Sequence, residues 1–384
     1  MRKLVWLILP LALTLACSEP AQESASMPEE TDSSDSADYW AYFGVYTTDT
    51  SKGIYKATFD SETGAIGEPE LAAEIRNPSF IAFHPNKKVL YSVGESDGGS
   101  VSAFEILPDT GGLILLNTQS AMGAAPCDLE VDKTGSMLVV ANYTSGNTVS
   151  YKINDDGSLS EPVSNIQHEG SGPSPRQKGP HAHSVDFTPD NQYVFVSDLG
   201  IDRVLIYRPN PEDGSLEKAG EGVAPAGSGP RHFALHPDGK FAYSLGEISS
   251  TVTPLTWADG KLEQTGETVS TLPADYEGEG NTTAEIAIAP NGKTLYASNR
   301  GHDSIAVFSI NEETGALTLE SNVSTQGETP RNFKIDPTGK WLLAANQKTD
   351  NVVVFGIDEA TGALSAAGKQ VTVDAPVCID FLGK

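Results

Sequence analysis

A short turn of the form Thr/Asp-Gly-X-Leu/Ile occurs seven times in this chain of 384 residues. Its glycines are Gly64, Gly111, Gly157, Gly214, Gly260, Gly315 and Gly362, and successive copies lie 47, 46, 57, 46, 55 and 47 residues apart. Short β-branched and aromatic runs, separated by Gly, Asp and Pro, fill each interval. A period of roughly 40–50 residues built from short strands is typical of a β-propeller with one blade per repeat. The sequence therefore predicts an all-β fold, a seven-bladed β-propeller with four-stranded antiparallel blades.

The two ends of the chain are predicted to supply one blade between them. Residues 42–47, 53–59 and 68–75 have the pattern of its three outer strands, whereas its innermost strand, 376–381, lies at the far end of the chain. Pairing the termini in this way closes the ring and removes an exposed sheet edge. One propeller domain is therefore predicted over residues 39–384.

Residues 1–17 are predicted to be a lipoprotein-type signal peptide. Arg2 and Lys3 precede an apolar stretch, 4–15, that is short for a span of the bilayer. The Leu-Ala-Cys sequence that follows is similar to a bacterial lipoprotein cleavage site, with Cys17 as the lipidated residue. Residues 18–38 are acidic, lack Lys and Arg, and are predicted to form a disordered tether. We therefore expect an exported protein, lipid-anchored in the bacterial cell envelope and facing the periplasm.

The net charge of the chain indicates which kinds of molecule it can bind. Asp and Glu total 52 against 25 Lys and Arg, which gives a formal net charge of −27. A surface this acidic repels nucleic acid and the anionic headgroups of lipids. Membrane contact is therefore expected only through the lipid anchor. No metal-binding motif is recognisable, and only Cys127 and Cys378 follow Cys17. We predict a monomer with no metal, no cofactor and no disulfide.

Polar side chains recur where the inner strands of the predicted blades begin. With the inner strands aligned on their turn prolines, two polar positions precede one that is apolar in every blade. The first ring is Ser79, Cys127, His183, Arg231, Ala284, Arg331 and Val377, and the second is Phe80, Asp128, Ser184, His232, Glu285, Asn332 and Cys378. The ends of the second strands add Thr47, Glu95, Tyr143, Leu199, Glu247, Arg300 and Gln347. Inner strands start at the face where second strands end, so these rings should meet at one mouth of the axial channel.

Two long loops also open onto this mouth. The two widest repeat intervals carry insertions at 170–183 and 272–285, and long loops on a rigid scaffold often carry function. The charged residues that map to the mouth are Arg231, Arg300, Arg331, His181, His183, His232, Glu247 and Glu285. Arginine's planar fork suits carboxylate or phosphate, so we predict a site for a small anionic ligand. His168 is predicted to lie on a loop surface.

Distinctive short motifs follow one another along the propeller. They are 180–187 (PHAHSVDF), 197–200 (SDLG), 229–232 (GPRH), 284–286 (AEI), 298–305 (SNRGHDSI) and 330–333 (PRNF). In this order they resemble the lactonase family of seven-bladed propellers, which includes 6-phosphogluconolactonases and carboxy-muconate cyclases. The resemblance implies a metal-free catalytic site that falls here on His183 or His181, Arg231, Glu247 and Arg300. Candidate substrate-binding residues are Arg331, His232, Glu285, Asp198 and Asn299.

These observations predict a hydrolase that opens a sugar-acid-type lactone, similar to the 6-phosphogluconolactonases, without a metal. His183, oriented by Glu247 or a second carboxylate, is expected to take a proton from the attacking water. Arg231 or Arg300 is expected to stabilise the oxyanion, and Arg331 or Arg300 to bind the anionic group of the substrate. Two alternatives stay open: a cycloisomerase of muconate-type lactones, and a non-catalytic envelope propeller that binds a ligand or partner.

Overall fold

The computed structural model describes residues 1, 4, 37–258 and 260–384. Nearly all of the predicted signal segment and tether, including the lipidation at Cys17, lies outside the described residues. The described part of the chain contains no helix with the length and apolarity needed to cross a bilayer. Asp38, one residue before the predicted domain, already belongs to the fold, because its carboxylate accepts hydrogen bonds from the Ser61 N–H (2.9 Å) and hydroxyl (2.6 Å).

The described residues form 29 strands, numbered in chain order. The first fifteen are β1 (Tyr39–Val45), β2 (Gly53–Phe59), β3 (Glu70–Glu74), β4 (Ile81–Phe83), β5 (Val89–Gly94), β6 (Ser100–Ile106), β7 (Leu113–Ser120), β8 (Pro126–Val131), β9 (Met137–Asn142), β10 (Asn147–Ile153), β11 (Leu159–Gln167), β12 (Ala182–Phe187), β13 (Val194–Asp198), β14 (Arg203–Asn210) and β15 (Ser215–Val223). The others are β16 (Pro230–Leu235), β17 (Phe241–Gly246), β18 (Thr251–Ala258), β19 (Lys261–Gln264), β20 (Val269–Ser270), β21 (Thr282–Ile288), β22 (Thr294–Arg300), β23 (Ser304–Ile310), β24 (Leu317–Ser324), β25 (Pro330–Ile335), β26 (Trp341–Asn346), β27 (Asn351–Ile357), β28 (Leu364–Thr372) and β29 (Pro376–Gly383).

These strands form seven antiparallel sheets, which we call blades 1 to 7. Blades 1 to 6 are β4–β7, β8–β11, β12–β15, β16–β20, β21–β24 and β25–β28, and blade 7 has the order β29-β1-β2-β3. In blade 7, β1 pairs with β29 from Tyr39↔Gly383 to Val45↔Pro376. Each inner strand contacts the inner strands of both neighbouring blades, including β29 with β4. The prediction of a seven-bladed propeller closed by its own termini is confirmed.

The repeated turn that predicted the fold is a contact point between blades. All seven of its glycines have a positive φ, between 66° and 85°, which glycine adopts without steric cost. In four cases the turn's carbonyl oxygen accepts a hydrogen bond from a buried tyrosine of the preceding blade. The pairs are Tyr42 with Gly111 (2.6 Å), Tyr91 with Gly157 (2.8 Å), Tyr243 with Gly315 (3.0 Å) and Tyr296 with Gly362 (2.8 Å). In these four blades, the turn that recurs with the period of the sequence thus joins one blade to the next.

Blade 4 departs from the four-strand plan, because its outer strand is split into β19 and β20. These two pieces pair with β18 on either side of Thr253 and Pro254. Pro254 has no N–H to donate to a sheet ladder, so pairing lapses beside it. The interruption lies at the outer edge of the blade and leaves its inner strands β16 and β17 regularly paired beyond Pro230.

Candidate active site

Six of the seven inner strands contain a β-bulge at the position of the first predicted ring. In β16 the pairing jumps from Pro230↔Gly246 to His232↔Leu245, so that Arg231 has no residue opposite it. Equivalent jumps leave Cys127, His183, Arg331 and Val377 unpaired, and another lies between Thr283 and Ile286. A bulge interrupts the alternation of side chains and re-aims the extra residue. The bulges therefore present the first ring at the end of the channel where the inner strands begin.

Glu247 lies at the centre of an arginine cluster at this mouth. Its Oε2 accepts hydrogen bonds from Arg231 Nε (3.0 Å) and Arg300 Nη2 (2.9 Å), and its Oε1 accepts one from Arg176. The carboxylate side chain is only 5 % exposed. Burial favours its neutral form, but Arg300, Arg231 and Arg176 together outweigh burial and lower the pKa of Glu247 to about 2. Glu247 is therefore a fixed negative charge.

Two of the three arginines are also tied to the backbone of blade 5. Arg231 Nη1 donates to the carbonyl oxygen of Ala284 at 2.6 Å, and Arg300 Nη2 donates to that of Thr283 at 2.8 Å. Burial lowers the pKa of both side chains, but a guanidinium keeps its charge throughout the pH range in which proteins fold. Arg231 and Arg300 are thus held rigidly against Glu247.

Arg331 lies at the same mouth but has a different environment. Its guanidinium carbon is 5.4 Å from the centroid of the Tyr46 ring, and the Tyr46 hydroxyl donates to Glu95 Oε2 at 2.8 Å. Within the described residues, no hydrogen bond or ion pair links Arg331 to a carboxylate. Its N–H donors therefore remain available to an oxygen of a bound molecule.

His181 has a defined tautomer. Its Nδ1 lies 2.9 Å from the carbonyl oxygen of Tyr143, and its ring stacks on the Tyr143 ring with centroids 4.7 Å apart. A carbonyl oxygen can only accept, so Nδ1 carries the hydrogen and Nε2 holds the lone pair. The residue is half-buried. His181 thus presents a proton-accepting nitrogen whose orientation is fixed from the other side of the ring.

His183 differs from His181 in burial and partners. The residue is 4 % exposed, and its ring contacts those of Tyr143 and His232 at centroid distances of 5.4 and 5.3 Å. Burial, reinforced by the nearby Arg231, lowers its pKa well below the usual range. Among the described residues, its side chain forms no hydrogen bond to a carboxylate, and Nδ1 is buried without a partner. The structure therefore gives no support to the expectation that Glu247 orients His183, and His183 is neutral.

Three residues of the second predicted ring, His232, Glu285 and Asn332, form a hydrogen-bonded network. Glu285 Oε1 accepts from His232 Nδ1 at 2.9 Å, and Glu285 Oε2 accepts from the Asn332 amide. Asn332 in turn accepts the Ile379 N–H at 2.9 Å. Burial lowers the pKa of His232 despite Glu285, whereas His232 and Arg231 lower the pKa of Glu285 against the effect of its burial. The hydrogen bonds of His232, Glu285, Asn332 and Ile379 thus link blades 4, 5, 6 and 7.

Asp198 is a structural partner of His181 and of a second histidine. It is fully buried; its Oδ1 accepts the backbone N–H of His181 (2.7 Å), and its Oδ2 lies 2.6 Å from His168 Nδ1. His168 Nε2 lies within hydrogen-bonding distance of the hydroxyls of Thr148 (2.9 Å) and Tyr207 (3.1 Å). The prediction of a surface position for His168 is wrong, because this residue is 4 % exposed. We expect Asp198 to position the backbone of His181 and not to contact substrate.

Asn299 is likewise fully buried. Its Oδ1 accepts from the Thr271 hydroxyl at 2.7 Å and its Nδ2 donates to the Thr271 carbonyl at 2.9 Å. A further hydrogen bond to Oδ1 comes from Asn281 at 3.1 Å. Both partners belong to the segment that precedes β21, so Asn299 holds the 272–285 insertion in place. This arrangement leaves Asn299 without a free polar atom for the substrate role predicted from the sequence.

Arg176 is the member of the cluster that sequence reasoning missed. It lies in the 170–183 insertion, which was singled out as a whole for its length, and no periodic pattern marks the residue. Its guanidinium reaches Glu247 from a loop 71 residues earlier in the chain. The available signal was its charge, because Arg176 is a basic residue in an insertion that was already predicted to open onto the arginine-rich mouth.

Replacing Glu247 with glutamine should destabilise the propeller by about 3 kcal/mol at pH 7, because three guanidinium groups would lose their anion. The pKa of Glu247 is about 2 in the folded protein against 4.5 ordinarily. Its stabilising effect is thus fully present above pH 4.5 and is lost as the pH falls through 2. Urea denaturation across this range measures the difference, with the exposed Glu328→Gln as control. Equal stability of the wild type and Glu247→Gln at pH 7 would contradict the assignment.

Within the described residues, no group of three or more His, Cys, Asp and Glu side chains is arranged to hold a metal ion. The arrangement at the mouth offers instead one fixed carboxylate, four guanidinium groups and a histidine with an available lone pair. Such a site suits a ligand with carbonyl, carboxylate or phosphate oxygens.

Comparison with known proteins places the chain in a family. Residues 40–381 match the family described as "Lactonase, 7-bladed beta-propeller". The chain is 41 % identical over 289 residues to a 6-phosphogluconolactonase of Bacillus subtilis. The alignment covers 74 % of this chain and 82 % of the relative. It is 38 % identical over 289 residues to a 6-phosphogluconolactonase of Formosa agariphila, with 71 % and 79 % covered. Among solved structures, the periplasmic gluconolactonase of Pseudomonas aeruginosa is similar, with 31 % identity, a TM-score of 0.85 and 90 % and 99 % of the chains covered. The chain therefore belongs to the lactonase family of seven-bladed β-propellers.

Proposed function

We propose that this protein is a lactonase that hydrolyses a sugar lactone at the arginine-lined mouth of its channel. Family membership and the relatives named as 6-phosphogluconolactonase and gluconolactonase support the reaction class and the type of substrate. The observation that carries the location is the set of three guanidinium groups around the buried Glu247 carboxylate, at the mouth that also holds Arg331 and a histidine, His181, that offers its Nε2 lone pair. Acyl transfer to water needs such an anion-stabilising environment and a base.

In the proposed mechanism His181 is the general base. Its Nε2 takes a proton from water while the water oxygen forms a bond to the lactone carbonyl carbon. The ring C–O bond then breaks, and His181 returns the proton to the departing ring oxygen, which becomes a hydroxyl group. The hydroxy acid so formed releases its own proton to solvent. His183 is a poorer base, because burial and Arg231 disfavour its protonated form.

Arg331 is proposed to stabilise the oxyanion that forms on the carbonyl oxygen. Arg231 and Arg300 each use N–H groups to contact Glu247 and a backbone carbonyl oxygen. Arg331 has no carboxylate partner among the described residues. A guanidinium that is not neutralised by a protein anion interacts more strongly with charge that develops in the transition state. From the sequence, Arg231 or Arg300 was expected to stabilise the oxyanion. We instead assign this role to Arg331.

Replacing Arg331 with glutamine should lower kcat by about 100- to 1,000-fold, as expected for loss of one oxyanion donor. The measurement is acid release by the full-length protein from glucono-δ-lactone and from 6-phosphogluconolactone at constant pH, corrected for spontaneous hydrolysis. The exposed Lys348→Gln at the same mouth is the control for loss of a positive charge.

Two outcomes would contradict the proposal. If the wild type does not accelerate acid release from either lactone, the protein is not a sugar lactonase. If Arg331→Gln and Lys348→Gln lose activity equally, Arg331 does not act on the reacting oxygen. Hydrolysis in ¹⁸O-labelled water should place one labelled oxygen in the product, whereas cycloisomerisation would place none.

A further inference from the structure

Arg176 lies at the tip of a compact turn in the 170–183 insertion. The turn is closed by hydrogen bonds from Gly172 N to Gln177 O (2.9 Å), from Gln177 N to Ser174 O (2.9 Å) and from Ser174 N to Gln177 Oε1 (3.0 Å). These bonds give the short segment 172–177 its own internal frame. The conformation that presents Arg176 is thus set locally.

The turn is also fastened to the propeller through Gln177, which is fully buried. Gln177 Nε2 donates to the carbonyl oxygen of Leu199 at 2.8 Å and to Asp202 Oδ1 at 2.6 Å. Asp202 accepts a further hydrogen bond from Gly229 N at 2.9 Å. The residue next to Arg176 is therefore anchored to the β13–β14 turn of blade 3 and, through Asp202, to the loop that leads into blade 4, whereas the Arg176 side chain is exposed.

Arg176 is the outermost of the three arginines on Glu247. Its side chain is 44 % exposed, against 3 % for Arg231 and 14 % for Arg300. Its Nη2 donates to Glu247 and lies 3.5 Å from the Tyr143 hydroxyl. Within the described residues, its Nε and Nη1 have no hydrogen-bond partner. Arg176 can therefore bind an oxygen from solvent without leaving Glu247.

The charges around Glu247 do not balance. Arg176, Arg231 and Arg300 carry three positive charges, and Glu247 carries one negative charge. The surplus favours a second anion, and guanidinium binds phosphate and carboxylate through paired, charge-assisted hydrogen bonds. Of the three, Arg176 is the one that an anion arriving from solvent can reach most directly.

We propose that Arg176 binds an anionic group, a phosphate or a second carboxylate, on the part of the sugar lactone remote from the reacting carbonyl. This inference rests on the proposed function for the identity of the ligand. It makes Arg176 the residue that selects anionic sugar lactones over neutral ones. The rigid turn held by Gln177 fixes the distance between this group and His181, which lies four residues beyond Gln177 in the same segment.

The test measures equilibrium binding of hydrolysis products by calorimetry with the full-length protein. The probes are gluconate, 6-phosphogluconate and glucarate, which share one carboxylate and differ in a second anionic group. In Arg176→Gln the preference for 6-phosphogluconate or glucarate over gluconate should fall by about 10- to 100-fold, the value of a charge-assisted contact. Arg176→Lys, which keeps the charge but loses the paired geometry, should lie in between.

Lys178→Gln is the matched control, because Lys178 is an exposed cation two residues away in the same loop. It should keep the preference of the wild type. A loss confined to 6-phosphogluconate identifies phosphate, and one confined to glucarate identifies a carboxylate. The inference is overturned if Arg176→Gln weakens all three probes equally, if Lys178→Gln has the same effect, or if the wild type shows no preference. Binding is measured without turnover, so the two proposals can fail separately. Absence of lactone hydrolysis would refute the proposed function, whereas the binding preferences alone decide the role of Arg176.

Discussion

Replacing His181 with asparagine is expected to lower kcat for lactone hydrolysis by about 100- to 10,000-fold, the usual contribution of a general base. The asparagine amide can still donate to the carbonyl oxygen of Tyr143, so the variant removes the Nε2 lone pair while keeping the contact that orients the side chain. The rate is measured by acid release at saturating substrate. Added imidazole should restore part of it, because His181 is half-buried and open to small molecules.

His183→Asn is the matched comparison for this experiment. Both histidines lie in the same motif and contact Tyr143, but only His181 has a hydrogen-bonded Nδ1. The loss in His183→Asn should therefore be smaller than that in His181→Asn and should not respond to imidazole. The reverse order, with the larger loss and the rescue in His183→Asn, would assign the base to His183 and disprove the mechanism proposed here.

Deleting residues 376–384 should abolish folding of the whole propeller. This segment contains β29, whose Val377, Ile379, Phe381 and Leu382 are at most 5 % exposed. Each such side chain contributes about 1.5–3 kcal/mol through burial, and a whole domain is stable by only about 5–15 kcal/mol. The deletion also exposes the inner edge of β1 and breaks the contacts of β29 with β4 and β25.

The measurement is the thermal unfolding transition of the soluble fraction, compared with the wild type and with a chain that lacks only the exposed Lys384. The chain without Lys384 should unfold cooperatively near the wild-type temperature. A chain lacking 376–384 that still unfolds in one transition within a few degrees of the wild type would show that the ring does not depend on its closing strand.

The fold could be predicted from the sequence because its defining turn is a short, local motif that is repeated seven times. The glycine of each turn is needed for a positive φ, and in four blades the turn accepts a hydrogen bond from a tyrosine of the preceding blade, as Tyr91 and Gly157 show. The pairing of the two chain ends follows from the same alignment, since seven inner strands are required and the seventh occurs only at 376–381. Nothing beyond the period and the strand pattern was needed.

The detailed contacts of the candidate site could not be predicted in this way. Arg231 pairs with Glu247 because a β-bulge changes the direction of the Arg231 side chain. Such a bulge is a local backbone irregularity that no sequence pattern marks. Arg176 reaches the site through a loop whose shape is set by hydrogen bonds of Gln177 to distant residues. His168 follows β11 in a loop, as predicted, but it is buried there and contacts Asp198 and two hydroxyl groups that are distant in sequence.

The row of bulged positions also bears on how new activities arise on this scaffold. The same backbone irregularity accommodates a thiol at Cys127, an imidazole at His183, guanidinium groups at Arg231 and Arg331, and an aliphatic side chain at Val377. Chemistry can therefore be exchanged at one blade without rebuilding the others. Laboratory evolution that randomises Val377, which now carries an aliphatic side chain, would place new catalytic groups at a bulge of the same kind as those that carry His183, Arg231 and Arg331.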